Sequence, residues 1–292
     1  MDTGTNGSAG LEAGGAGPLR ALTYLAPGLP LELFQRVTEH LASALGRGIV
    51  LESEQRSSGP MHGDSDPFAE GRADLGFLCS PSYLYLRAQT PPSVDLVPAG
   101  FVFADRRSAG LPVYYSDVVV RTEAPARSLE DLAGGVWGYN DDCSLSGYFS
   151  VLQRLAAHGH DGGFFARRVR TGSHHASIRA LLEGSVDVAA IDSTALARAL
   201  RERPELEARL RLLESLGPFP IQPVVARRAL GREFVDRVGA ALLELHASPE
   251  RAARLAEFGL EGCVPIDDSA YAEERRALQA LQQLPRALED EP

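Results

Sequence analysis

Two short polar loops carry the residue types best suited to chemistry. The first runs Tyr139-Asn140-Asp141-Asp142-Cys143-Ser144-Leu145-Ser146-Gly147-Tyr148 and leads into apolar positions Tyr148, Val151, Leu152 and Leu155 at helical spacing. Ser144 and Ser146 stand where that helix begins, and Gly147 permits close backbone approach. Free N–H groups, two hydroxyls and the positive end of a helix dipole together make a place for an oxyanion. A serine at such a position also serves as an ordinary helix cap with no ligand at all. The second loop, Thr171-Gly172-Ser173-His174-His175, repeats the design ahead of Ile178, Leu181 and Leu182 and adds an imidazole donor. Adjacent histidines point different ways and rarely chelate one ion, and their spacing is not that of the zinc hydrolases.

Other reactive types are scattered. Cys79 and Cys143 each end a predicted strand beside one of the candidate loops. A thiol at a helix N-terminus can have a lowered pKa and be reactive, whereas a free cysteine is more commonly a small buried residue. Asp141 and Asp142 offer an acid and a base, although neighbouring loop residues usually diverge. No phosphate-binding Walker loop, nucleophile elbow or metal-ligand constellation is present, so neither a cofactor nor a metal is expected.

The elements that must position these loops alternate in type. A strand over 21–25 is followed by a helix with Leu31, Phe34, Val37, Leu41 and Leu45 on one face, stopped by Gly46 and Gly48. A strand over 49–53, a Ser- and Gly-rich loop over 56–66 and the apolar run 75–79 come next. The pattern resumes with strands ending at Tyr139, Arg170 and Ile191, each leading into a helix, which implies βαβ units and a mainly parallel sheet. Two extended, β-branched runs, 114–121 and 220–227, read as crossovers between two lobes, with only helices after the second. The expected organisation is a disordered tail over 1–19, a discontinuous first lobe over 20–117 and 222–292, and a second lobe over 118–221. Ligands of such α/β sheets bind in the cleft.

Bulk properties narrow the function further. The 292 residues are 44% apolar and 23% charged, as in an ordinary globular protein. A formal charge of −10 argues against a nucleic-acid partner, because affinity for the phosphate backbone comes from a basic surface. It leaves room for a small anion held by local N–H groups. Three cysteines are too few and too scattered for a disulfide framework. Residues 1–20 carry six glycines and neither a basic n-region nor an apolar h-region, so the chain is expected to stay in the cytosol. No apolar run is long enough for a membrane span.

The ordered set Asn140-Asp141…Ser144-x-Ser146-Gly147-Tyr148, Gly172-Ser173-His174 and 186–193 resembles the phosphonate/phosphate-binding family of solute-binding proteins. Gly71-Arg72-Ala73-Asp74-Leu75-Gly76-Phe77 with Ser80-Pro81-Ser82-Tyr83, and the segment 263–271, resemble its flanking pieces, so the match runs from about residue 20 to residue 275. The resemblance implies an α/β, two-lobed type II periplasmic-binding-protein-like fold: mainly parallel sheets flanked by helices, with two crossover strands. It implies that Ser144, Ser146, Gly147 and Ser173 hold an anionic group, that His174 adds a donor, and that Tyr83 closes over the ligand from the first lobe. Asp192 falls where the family places a carboxylate facing a ligand's ammonium, and it equally fits a cap for the helix starting at Thr194. Leu145 stands where the family often has a hydroxyl, and 59–67 lacks the Asp-Tyr pair common in the transporters.

These readings point to a small-anion binding protein, for a phosphate- or phosphonate-like oxyanion or an organic acid, that closes its cleft on its ligand. An ABC permease or a sensor is the candidate protein partner. The alternative is a cytosolic enzyme on the same fold acting on a small organic acid or biosynthetic precursor, since some relatives are enzymes and fold alone does not choose. A third arrangement, iron held by Tyr83, His174 and Asp192, requires those three to converge.

Overall fold

A computed structural model describes residues 17–26, 28–160 and 163–282. The first lobe opens with β1 (Leu19–Thr23), α1 (Leu31–Leu45) and β2 (Ile49–Ser53), then β3 (Leu75–Phe77), α2 (Ser80–Ala88), β4 (Val94–Leu96) and β5 (Gly100–Phe103). The chain then enters the second lobe along β6 (Val113–Arg121), followed by β7 (Val136–Tyr139), α3 (Ser150–Ala157), β8 (Arg167–Arg170) and α4 (His174–Glu183). That lobe is completed by β9 (Val188–Asp192), α5 (Ser193–Glu202), α6 (Leu206–Arg209) and β10 (Leu210–Pro220). The return brings β11 (Val224–Arg227), α7 (Arg232–Leu243), α8 (Pro249–Ala256), β12 (Leu260–Val264) and α9 (Ala272–Gln282).

The strand orders are β2-β1-β3-β11-β4, β10-β6-β9-β7-β8 and a small β12-β5 pair. This is the two-lobed α/β fold expected, but the sheets are mixed rather than mainly parallel. β1 pairs parallel with β2 and β3, and β7 with β8 and β9, while every pairing of β6, β10 and β11 is antiparallel. The reason is the path of the chain. The strand that enters the second lobe and the strand that leaves it lie side by side, from Leu210 opposite Arg121 to Pro220 opposite Val113. β10 carries four leucines, which favour helix, and pairing along β6 overrides that preference. The expectation of helices alone after the return fails for a similar reason, since β12 finds a partner only in the distant β5.

Packing follows the periodicities. On α1 the buried residues Leu33, Phe34, Val37 and Leu41 form the face turned to the sheet, and Gly46 closes the helix at φ 64°. In the second lobe Val118, Val120, Val188 and Ala190 feed one core cluster while Val119, Ala189 and Ile191 feed another, the alternation that puts neighbours on opposite faces. Of the expected tail, residues 1–16 lie outside the described residues, and Leu19 is already buried in β1. Pro27, part of the predicted turn after β1, also lies outside them. Among the described residues no helix is long and apolar enough to cross a membrane.

Candidate functional site

The carboxyl ends of six parallel-paired strands face one cavity. Tyr24, Leu25, Gly28 and Leu29 follow β1, Ser57 and Ser58 follow β2, and Cys79 follows β3. From the second lobe come Asn140, Ser144 and Ser146 after β7, Ser173 and His174 after β8, and Asp192, Thr194 and Ala195 at the end of β9, with Gln222 reaching in from the return crossing. The space open to the centre of a water molecule is about 40 Å³. Among the described residues no arginine or lysine lines it, so an anion there meets hydroxyls, N–H groups and helix ends rather than a cation.

The helix starts that meet here are fixed by local chemistry. Ser144 accepts a hydrogen bond from Gly147 N (3.1 Å), and one π-type turn, in which Phe149 N donates to Ser144 O (3.0 Å), leads into α3. Such turns recur at binding sites. A side chain at position 147 would strike the Asn140 side chain, so glycine there serves the packing of the loop against Asn140. Ser146 is held from behind, its carbonyl accepting from the Ser116 hydroxyl (2.6 Å) and the Ser150 hydroxyl (2.9 Å). Tyr148 stacks on Trp137 with ring centroids 5.4 Å apart and planes 10° from parallel, tying the turn to β7. Ser173 caps α4 by accepting from Ala176 N (3.1 Å).

His174 is buried, and burial first, with His175 nearby, pulls its imidazole down to about 3. It is therefore neutral at physiological pH, with Nε2 3.4 Å from the Ser146 hydroxyl and Nδ1 without a partner. The side-chain oxygens of Asn140 and Gln222 are likewise buried and unpaired. Three orphaned polar atoms around one cavity are what a missing polar ligand or ordered water would leave.

Asp192 caps α5, its Oδ1 accepting from Thr194 N (2.8 Å) and the Thr194 hydroxyl (2.5 Å), while Oδ2 accepts from Gln222 Nε2. Burial pushes this carboxyl up to about 6. Both cysteines prove structural in character. Burial pushes the Cys79 thiol up to about 12 and raises Cys143 further still, so neither is a thiolate near neutrality.

Of the residues expected at the site, Ser144, Ser146, Ser173, His174 and Asp192 line the cavity together. Gly147 lies in the same turn but does not line the cavity. Tyr83 does not join them. Its ring is wholly buried inside the first lobe, edge-on to Tyr271 at 5.2 Å, with its hydroxyl donating to Asp268. The iron-type trio of Tyr83, His174 and Asp192 is thus not formed. Asp141 and Asp142 are engaged by arginines, Asp141 by Arg170 (2.5 Å) and Asp142 by Arg56 (3.5 Å).

The loop after β2 was read only as polar, yet it supplies Ser57 and Ser58. Ser58 lies at φ 77°, a left-handed conformation uncommon for serine, held by Ser58 N to Tyr24 O (3.0 Å) and Cys79 N to Ser58 O (2.7 Å). Gln222 was missed as well. Its one signal is a lone polar side chain inside the apolar crossing Ile221–Val225.

Comparison with known proteins gives a consistent answer. Residues 27–271 match the family described as ABC transporter, phosphonate, periplasmic substrate-binding protein. The phosphonates-binding periplasmic protein of Escherichia coli (strain K12) is 26% identical over 165 residues, 55% of this chain and 49% of that protein, so the match spans about half the relative's length. The binding protein component of an ABC phosphonate transporter from Pseudomonas aeruginosa has a similar structure, with a TM-score of 0.76 at 18% identity over 91% of this chain and 87% of that one. PhnD1 from Prochlorococcus marinus, solved with methylphosphonate, gives 0.74 at 16% identity over 91% and 98%. A protein from Xanthomonas citri bound to ATP gives 0.71 at 16% identity over 91% and 98%. At these identities the structures establish the fold. The periplasmic family and relatives overturn the cytosolic expectation and point to the periplasm, because that expectation rested only on a leader not being visible in the first residues. With the match spanning most of its length, this chain belongs to the phosphonate-binding family of periplasmic substrate-binding proteins of ABC transporters.

Proposed function

We propose that the protein binds a small oxyanion, phosphate or a short-chain phosphonate, between its lobes and closes on it. The observation that carries the reading is the convergence of the starts of α2, α4 and α5 and of the turn ahead of α3 on one cavity that has hydroxyls and, among the described residues, no cation. Ser144, Ser146 and Ser173 serve as donors together with the N–H groups around them, and neutral His174 adds an imidazole. Asp192, satisfied by its cap and by Gln222, is the acceptor best placed for a protonated ligand oxygen or an amino substituent. The small space open to water centres, about 40 Å³, suits a small ion better than a nucleotide. Handing the ligand to an ABC permease is the role that membership of this family supports.

Calorimetric titration with phosphate and methylphosphonate tests the reading. Saturable one-to-one binding with ligand recovered unchanged by mass spectrometry is expected. No heat with either anion, or a converted product, would sink it.

Polar contacts between the two lobes support the reading of closure. Arg56 of the first lobe reaches Asp142 (3.5 Å) and the Cys143 sulfur (2.7 Å), and the Ser57 hydroxyl donates to Gly172 O (3.1 Å). The Arg56 and Asp142 side chains are 32% and 49% exposed, so their pairing is worth at most about 1 kcal/mol. Arg56→Gln should weaken phosphate binding no more than about fivefold, and adding Asp142→Asn should cost little beyond that. Strictly additive losses in that double-mutant cycle would show that the two side chains do not act across the cleft.

A further inference from the structure

We infer that α9 is a strap whose seat on the second lobe must be given up when the cleft opens. Leu278 belongs to the first lobe's core, whereas Leu281, one turn on, packs against the core of the second lobe formed by Val118, Trp137 and Leu152 among others. One helix is thus sewn into both lobes. Its entry is anchored at the crossing itself, where the Tyr271 hydroxyl donates to Ile221 O (2.8 Å) between β10 and β11. The helix is loosely seated on both flanks. Beside Glu273, Glu274 and Ala277 lies a groove with about 630 Å³ of water-accessible space, which also touches Gln153 of the second lobe and the crossing residues Pro112 and Phe219. Beside Arg275, Leu278 and Gln279 lies another of about 600 Å³, reaching Phe149. Both grooves are therefore walled by the two lobes and change shape as the lobes separate. The Glu274 carboxyl is buried on the same helix with the Ser80 hydroxyl of α2 near it but no well-formed hydrogen bond to either oxygen, so the seat contains a poorly met polar group and not a closed network. A helix held to one lobe by its entry and, among the described residues, reaching the core of the other through Leu281 near its end acts as a weak spring on the hinge. It favours the closed arrangement without ligand, which raises affinity, and its contact with the second lobe must be broken whenever the cleft opens.

The inference rests on the cleft-opening reading above, and its test separates the two. Small-angle X-ray scattering of the ligand-free protein reads lobe separation directly. Leu281→Ser should give a larger radius of gyration than wild type, and its dissociation constant for phosphate should be about three- to tenfold higher. Leu281→Val should move both in the same direction by less, which keeps the idea testable where the serine variant does not fold. Scattering curves that overlay wild type for both variants would overturn the strap. An enlarged radius in a protein that binds no phosphate would keep the strap and sink the oxyanion reading instead.

Discussion

Leu145→Ala should raise the dissociation constant for phosphate about 30-fold or more. Leu145 sits between the two serines of the anion loop, yet its side chain is wholly buried and belongs to the first lobe's core, and its N–H donates to the Cys79 sulfur at 3.3 Å. It is the apolar plug by which the second lobe engages the first. Truncating a buried leucine to alanine costs about 2–5 kcal/mol, and a plug used only in the closed arrangement charges that loss to closure. Two kcal/mol corresponds to about 30-fold in affinity. Calorimetry with a parallel thermal melt checks the assignment. Unchanged affinity with a lowered melting temperature would mean that Leu145 packs within its own lobe alone. Leu145 thus supplies an apolar interlobe contact between the two serines.

Glu274→Gln should remove most of the loss of stability between pH 6 and pH 8. Burial pushes the Glu274 carboxyl up to about 8 from an ordinary value of 4.5, with Arg275 and the nearby Ser80 hydroxyl only partly opposing. The folded protein therefore holds a proton that the unfolded chain releases. The stability this group contributes is full below about pH 4.5 and is lost as pH rises through 8, roughly 5 kcal/mol across the window. Asp192, raised to about 6, acts with the same sign, but its share is lost between about pH 4 and 6. The upper half of the window belongs to Glu274. Urea unfolding at pH 4.5, 6 and 8 should show the glutamine variant more stable than wild type by a few kcal/mol at pH 8, and close to it at pH 4.5. Parallel pH profiles for the two proteins would refute the assignment.

The strand–loop–helix units of the second lobe were legible because their signals are local. Ser144, Ser173 and Asp192 sit where capping residues must, each before an apolar helical stripe, and parallel strands carry all three to the same edge of one sheet. Tyr83 was misread because its partners, Asp268 and Tyr271, come from the far end of the chain, and nothing near residue 83 announces them. Ser58 and Gln222 were missed for a similar reason. One owes its place to a strained turn stitched to β1 and α2, the other to a crossing whose direction only the assembled lobes define. β10 was left without a reading, since its leucines favour helix and only the pairing along β6 makes it a strand. The location failed on another ground: a leader not seen in the first residues says less than the family to which the remaining chain belongs.

The oxyanion site itself faces one decisive comparison, the phosphate-induced rise in melting temperature of wild type against Ser146→Ala. Ser146 is buried at the cavity with its carbonyl pinned by two hydroxyls, so removing its own hydroxyl should leave the fold in place. At a hundredfold excess over the dissociation constant, ligand adds about 2.7 kcal/mol and should raise the wild-type midpoint by about 5 °C or more. A hydrogen bond to a charged group is worth roughly 1.5–3 kcal/mol, so Ser146→Ala should lose most of that rise at the same phosphate concentration. An equal rise in the two proteins would contradict the site, as would no rise in wild type with either phosphate or methylphosphonate.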